Sequence, residues 1–125
     1  MEETKKKILF VEDQAAILLA LSETLEKAGF EVIIAPDGLM GRDLALAEHP
    51  DLIVLDVIMP KMDGITLYNT IRNDQWGSQV RIIFLTNVTG NPKLEEASKH
   101  PLTQLVMKNE IILDDFTALV KKTLA

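Results

Sequence analysis

The four residues Leu52-Ile53-Val54-Leu55 are all apolar, and an aspartate stands at each end of them, Asp51 and Asp56. A strand with one wet face alternates polar and apolar residues, so an unbroken apolar run this short reads as a strand buried on both faces of a parallel sheet. Parallel strands cannot be joined by hairpins. Each needs a crossover of about a dozen residues or more, usually a helix. The rest of the chain has that form. Lys7 to Val11 (KILFV), Glu31 to Ala35 (EVIIA), Arg81 to Thr86 (RIIFLT) and Gln104 to Lys108 (QLVMK) are the other strand candidates. Apolar residues recur at helical spacing after each strand. They are Ile17, Leu18, Leu21, Leu25 and Ala28 before Gly29, then Leu39, Met40, Leu44, Leu46 and Ala47 before His49-Pro50. Ile65, Leu67, Tyr68 and Ile71 follow the central run, Leu94 and Ala97 precede His100-Pro101, and Phe116, Leu119, Val120 and Leu124 close the chain. Asp37-Gly38, Asp63-Gly64 and Asn91-Pro92 supply helix starts, the last with proline at the first helical position.

Five strand–helix units predict an α/β fold: a doubly wound, five-stranded parallel sheet with helices on both faces, because crossovers are right-handed. The expected strand order is 2-1-3-4-5, the flavodoxin-like arrangement. It opens a crevice between strands one and three, the two that run into acids. A chain of 125 residues that is 47% apolar buries an ordinary core, and one domain over residues 1–125 is expected. The absence of cysteine excludes a disulfide framework and a thiolate metal site. The apolar run near the N-terminus is too short for a signal peptide or a membrane span, so a cytoplasmic protein is expected. A net charge of −6 with no Lys/Arg stripe argues against direct DNA or RNA binding.

What the strands end with carries the chemistry. Strand one runs into Glu12-Asp13, strand three into Asp56, strand four ends in Thr86 and strand five in Lys108, all on one rim of the sheet. Three carboxylates in one crevice raise each other's pKa unless a cation sits among them, and an oxygen-only donor set completed by water suits Mg²⁺. The ammonium of Lys108 and the hydroxyl of Thr86 then need an anion. A phosphoryl group carried on a carboxylate uses both, and Asp56 is the central candidate for that carboxylate.

Glu12-Asp13, the D-x-x-M-P-x-M-D-G run from Asp56 to Gly64, Thr86 and Lys108 together resemble the receiver domain of two-component response regulators, of the chemotaxis-regulator type, over essentially the whole chain. The resemblance implies that Asp56 is the phospho-acceptor. It further implies that Glu12, Asp13, Asp56 and the backbone carbonyl of Ile58 hold Mg²⁺, that Thr86 hydrogen-bonds the phosphoryl oxygens and that Lys108 pairs with them. The implied partners are a sensor histidine kinase or histidine phosphotransfer protein, as phosphohistidine donor, and a downstream protein target. A signalling switch is implied, one that catalyses only its own phosphorylation and dephosphorylation. If these 125 residues are the natural chain, output is expected to pass through that target.

Other classes fit less well. A flavin carrier of the same topology needs a phosphate cradle where this chain has Glu12-Asp13-Gln14, and no G-x-x-x-x-G-K-[ST] is present for a nucleotide hydrolase. A dehalogenase-type phosphatase wants an acid where Ile58 stands. A receiver fold whose output ignores phosphorylation is opposed by the intact acid, hydroxyl and lysine set. Asp63 reads as a helix cap, and Asp13 reads either as a cap or as a metal ligand. His49 and His100 read as helix terminators, Met40, Met59, Met62 and Met107 as packing. Trp76 has two readings, a cover for the core edge or a partner contact.

Three positions depart from the family pattern: Asn109 where proline is usual, Leu105 where an aromatic is usual, and Asn87 where a small residue is usual. A cis Lys108–Asn109 bond would cost about 2.5–4 kcal/mol, so trans is expected. Leu105 excludes a rotating-aromatic readout, and Asn87 is expected to narrow the space behind Thr86. The switch is therefore expected in residues Asn87 to Asn91 and the short fourth helix. Ile58 and Val88, each two residues beyond a site residue, are expected to keep water from a phosphoryl group and so to lengthen its lifetime.

Overall fold

In the computed structural model, which describes residues 4–125, all five expected strands and all five helices form. The first three residues of the domain expected over 1–125 lie outside the described residues. The elements are β1 (Lys7–Val11), α1 (Ala15–Lys27), β2 (Glu31–Ala35), α2 (Gly38–Glu48), β3 (Leu52–Leu55), α3 (Gly64–Asn73), β4 (Arg81–Thr86), α4 (Pro92–Ser98), β5 (Thr103–Met107) and α5 (Leu113–Thr123). Every strand pair is parallel and the order is β2-β1-β3-β4-β5, as expected. Strand five lies one residue earlier than the sequence suggests. Its ladder with β4 ends at the Thr86–Met107 pair, and Lys108, with no strand residue left opposite it, opens a one-turn 3₁₀ helix, Lys108–Glu110.

The two-residue period of the strands divides the core into two layers. Ile8, Phe10, Leu52, Val54, Ile83 and Leu85 pack with Leu18, Leu21 and Leu25 of α1 and with Phe116 and Val120 of α5. Leu9, Val11, Ile53, Leu55, Ile82 and Phe84 pack on the opposite face with Ala45 of α2, Leu67 and Ile71 of α3 and Leu94 of α4. Each large apolar side chain so buried contributes about 1.5–3 kcal/mol. α4 is the weakly held element, seven residues long with Leu94 its one buried side chain. Trp76 is half-buried against the second layer and stacks on His49, ring centroids 4.5 Å apart and 6° from parallel, so it covers the core edge.

Helix ends follow the local chemistry. Asp37 accepts the Met40 N–H at 2.8 Å, and Asn91 accepts those of Lys93 and Leu94 at 2.9 and 3.1 Å. α1 ends through Gly29 at φ +101°, with Gly29 N–H bonded to Glu26 O and Phe30 N–H to Leu25 O, the paired closure that only a left-handed residue permits cheaply. Asp63 is a cap, as expected: it accepts the N–H groups of Ile65 and Thr66 and the Thr66 hydroxyl, each at 2.9 Å. Gly64 next to it serves the site. A Cβ there would lie 1.9 Å from the carbonyl oxygen of Asp56, and the Gly64 N–H donates to Val57 O at 2.7 Å, so α3 starts hard against the end of β3.

The Thr66 N–H, and behind it the Thr66 hydroxyl and the Ile65 N–H, hold the Asp63 carboxyl below the usual carboxylate range against an opposing effect of burial. A depressed pKa adds stability above the unfolded value that is lost as pH falls through the folded one. Asp63→Ala is therefore expected to cost about 1 kcal/mol at pH 7, and urea unfolding should show the deficit shrinking as pH drops below the carboxylate range.

Candidate functional site

Asp56 follows β3 directly, and its backbone N–H donates to Val11 O at 3.3 Å, tying it to the end of β1. Its carboxylate is nearly buried and fully engaged: Oδ1 accepts the Val57 N–H at 2.6 Å and Oδ2 contacts the Lys108 ammonium. Lys108 reaches across from the far side of the crevice. Its Nζ lies 2.9 and 3.2 Å from the two Glu12 oxygens and 2.9 Å from Gln14 Oε1, all three of its protons facing oxygen. Glu12 is 1% exposed, and its main-chain N–H is held by Ala35 O at 3.0 Å.

Burial pushes the Glu12 carboxyl up, and this outweighs the Lys108 hydrogen bond and charge that pull it down. For Lys108 the balance is reversed. Burial pulls it down, but the hydrogen bonds to Asp56 and Glu12 carry it above the ordinary lysine value, so the ammonium stays charged throughout the neutral range. Both raised values mean that the folded state binds these protons more tightly than the unfolded chain. The stability so gained is lost as pH rises, for Glu12 from the ordinary glutamate value upward and for Lys108 only at alkaline pH.

The sequence expectations meet here in one cleft of about 520 Å³, lined by Asp13, Gln14, Asp56, Ile58, Thr86, Asn87, Val88, Thr89 and Lys108. Glu12, Asp13 and Asp56 each offer a carboxylate oxygen within 4.8 Å of the others. Of Asp13's two readings the cap falls away: the N-cap of α1 is Gln14, with no side-chain cap bond, and Asp13 is exposed and free to face the cleft. An all-oxygen set of three acids fits a hard divalent cation such as Mg²⁺. Thr86 stands at the wall fully buried, its hydroxyl oxygen accepting the Val88 N–H at 3.2 Å. Ile58 lines the mouth and is 71% exposed.

One feature of the cleft has no counterpart in the sequence reading, and one expectation is overturned. Gln14 as a partner of Lys108 carries no motif; only its place beside the acid pair could have flagged it. Asn87 does not fill the space behind Thr86: it is exposed, and its Oδ1 accepts the Asn109 N–H at 2.7 Å. The Lys108–Asn109 bond is trans, as are all peptide bonds among the described residues. A larger groove, about 800 Å³, runs between α3 and α4, but the Arg72 in its wall spends its N–H groups on neutral acceptors: Tyr68 Oη, Gly77 O, Val80 O, Leu102 O and Thr103 Oγ1.

Residues 8–121 match the response regulator receiver domain family. The chain belongs to that family. Among relatives of this receiver domain, a probable transcriptional regulator, ycf27, of Cyanophora paradoxa is 43% identical over 86 residues, 69% of this chain and 35% of that protein. The DNA-binding dual master transcriptional regulator RpaA of Synechocystis is 40% identical over 80 residues, 64% of this chain and 33% of that protein. The matched part of the receiver thus spans about a third of the length of these curated relatives. The chemotaxis response regulator CheY4 of Vibrio cholerae superposes with a TM-score of 0.85 at 28% identity, covering 97% of this chain and 100% of that one. No helix among the described residues of the receiver is long and apolar enough to cross a membrane.

The ammonium and a bound divalent cation would offset the same carboxylates, which predicts competition. Lys108→Met is expected to lose roughly 3 kcal/mol at pH 7, the low end for a broken buried pair because the cleft opens to solvent. Thermal unfolding should show Mg²⁺ raising the midpoint of Lys108→Met more than that of the wild type, and acidification should narrow the gap as the carboxylates take up protons.

Proposed function

We propose that the chain, as a single domain over residues 1–125, accepts a phosphoryl group on Asp56 and relays a signal through the conformational change that follows. The observation that carries this reading is the company of Asp56: two further acids within 4.8 Å and an ammonium already in contact with its Oδ2. The donor is a phosphohistidine on a sensor histidine kinase or a histidine phosphotransfer protein. In the transfer an Asp56 oxygen gives an electron pair to phosphorus as the donor's P–N bond breaks, and the imidazole nitrogen departs with the electron pair of that bond.

Each residue's part follows from its position. Glu12, Asp13, Asp56 and the backbone carbonyl of Ile58 would hold Mg²⁺, which when bound would offset charge on the incoming phosphoryl group. Lys108 needs little movement to pair with a phosphoryl oxygen, since it already faces the nucleophile. Thr86 can donate its hydroxyl proton to the same group, and because its oxygen accepts the Val88 N–H, turning that hydroxyl toward the phosphoryl group pulls on the loop that runs to Asn91. The weakly anchored α4 follows directly after, which makes it the natural carrier of the change to a downstream protein. Leu105, 40% exposed on the edge strand β5, has no ring or hydroxyl to join in. The chemistry is confined to the chain's own phosphorylation and dephosphorylation, in the cytoplasm. The relatives' names point to transcriptional output, and a chain of net charge −6 supports a receiver that acts through a partner rather than by touching DNA itself.

Incubation with a small acyl-phosphate donor and Mg²⁺, followed by mass mapping, is expected to label Asp56 alone, and labelling of Asp56→Asn at the wild-type level would sink the assignment. Hydrolysis needs a water in line with phosphorus, and Ile58 and Val88 line the cleft without a polar atom to orient one. The phosphoryl group should therefore be long-lived. Polar replacements, Ile58→Asn with Val88→Glu, should speed its decay by about tenfold or more, a barrier change of roughly 1.4 kcal/mol; equal decay rates in a time course would refute the argument.

A further inference from the structure

Asn87 and Asn109 each directly follow a site residue, Thr86 and Lys108, and in the fold they bond to one another. The β4–β5 ladder stops at the Thr86–Met107 pair, so the Asn109 N–H donating to Asn87 Oδ1 at 2.7 Å is a side-chain rung set just beyond the last main-chain one. It ties the loop after β4 to the 3₁₀ turn Lys108–Glu110. A proline at position 109 has no N–H and could not make this bond. The proline usual in the family pattern is thus absent here, and a hydrogen bond that needs its absence stands in the same place. Both asparagines are exposed, while the ammonium whose backbone they anchor is buried against Asp56, Glu12 and Gln14.

We propose that Asn87 is a positioning residue for Lys108: by accepting the Asn109 N–H, its side-chain carbonyl holds the Lys108 turn so that the ammonium faces Asp56. The bond also links the two loops that must receive the phosphoryl group, so Thr86 and Lys108 are presented to it as a unit. This rests on the phosphoryl-accepting role proposed for Asp56. Asn87 makes no hydrogen bond to the acids that would hold a metal and acts on them only through Lys108, which offsets their charge and so does not favour the cation.

The test uses wild type, Asn87→Ala, Asn109→Pro and the double variant, with Mg²⁺ alone and with Mg²⁺ plus beryllofluoride as phosphoryl mimic, by calorimetry. Asn87→Ala is expected to weaken beryllofluoride binding about threefold to tenfold, the range of one net hydrogen bond, while affinity for Mg²⁺ alone does not fall. In the Asn109→Pro background the N–H is gone, and Asn87→Ala should then change nothing further. Equal beryllofluoride affinities for wild type and Asn87→Ala, losses that add in the double variant, or a parallel loss of Mg²⁺ affinity would overturn the proposal. Failure of the wild type itself to bind the mimic would instead count against the phosphoryl-accepting role. Amide exchange then decides separately: faster exchange at Lys108 and Asn109 in Asn87→Ala supports the tie, and unchanged exchange refutes it.

Discussion

A strand of four apolar residues cannot leave either face in water, and β3 obliges the molecule to build a layer on each side of it. Leu52 and Val54 turn to α1 and α5, Ile53 and Leu55 to α2, α3 and α4. Once both faces are covered, the chain leaves the core only at the strand's two ends, and Asp56 stands at the C-terminal one. The carboxylate gains its rigidity from this. Its main chain is bonded to Val11 on one side and pressed by Gly64 on the other, so the group lies at the meeting of β1, β3 and α3.

Such a placement sets charge against burial. Glu12 and Asp56 are nearly inaccessible to water, and their mutual repulsion would oppose folding if nothing offset it. Lys108 supplies the offset from the chain itself, with Gln14 taking the proton of the ammonium that the acids leave over. A buried ion cluster of this kind adds little net stability compared with apolar packing of the same volume. Its value lies in holding a nucleophile and its counter-charge in register, at a point where a hydrophobic residue would be easier to accommodate.

Much of this was legible in the sequence because it rests on local rules. Strand runs, the caps at Asp37, Asp63 and Asn91, the glycine closure after α1 and the gathering of Glu12, Asp13, Asp56, Thr86 and Lys108 on one rim all follow from period, propensity and chain direction. What escaped depends on pairings that no local rule encodes. Lys108 belongs to a turn and not to β5 because the ladder partner runs out at Thr86. Asn87 looked like bulk behind Thr86, yet an amide with an N–H across the loop turns toward it. Gln14 entered the sequence reading only as part of the run that offers no phosphate cradle, and only the reach of a lysine nearly a hundred positions away gives it a partner. The two readings of Trp76 were likewise separable only when His49 was seen to lie parallel to it.

That stacked pair lies in the turns that lead into β3 and β4, at the opposite end of the sheet from Asp56. Trp76 is the only tryptophan in the chain. Tryptophan fluorescence is therefore an optical gauge of whether the core edge is assembled, read at the far end of the sheet from the cleft. A spectroscopist who wants to watch the cleft must bring a second chromophore to it, and can then follow folding and signalling in one sample at two wavelengths.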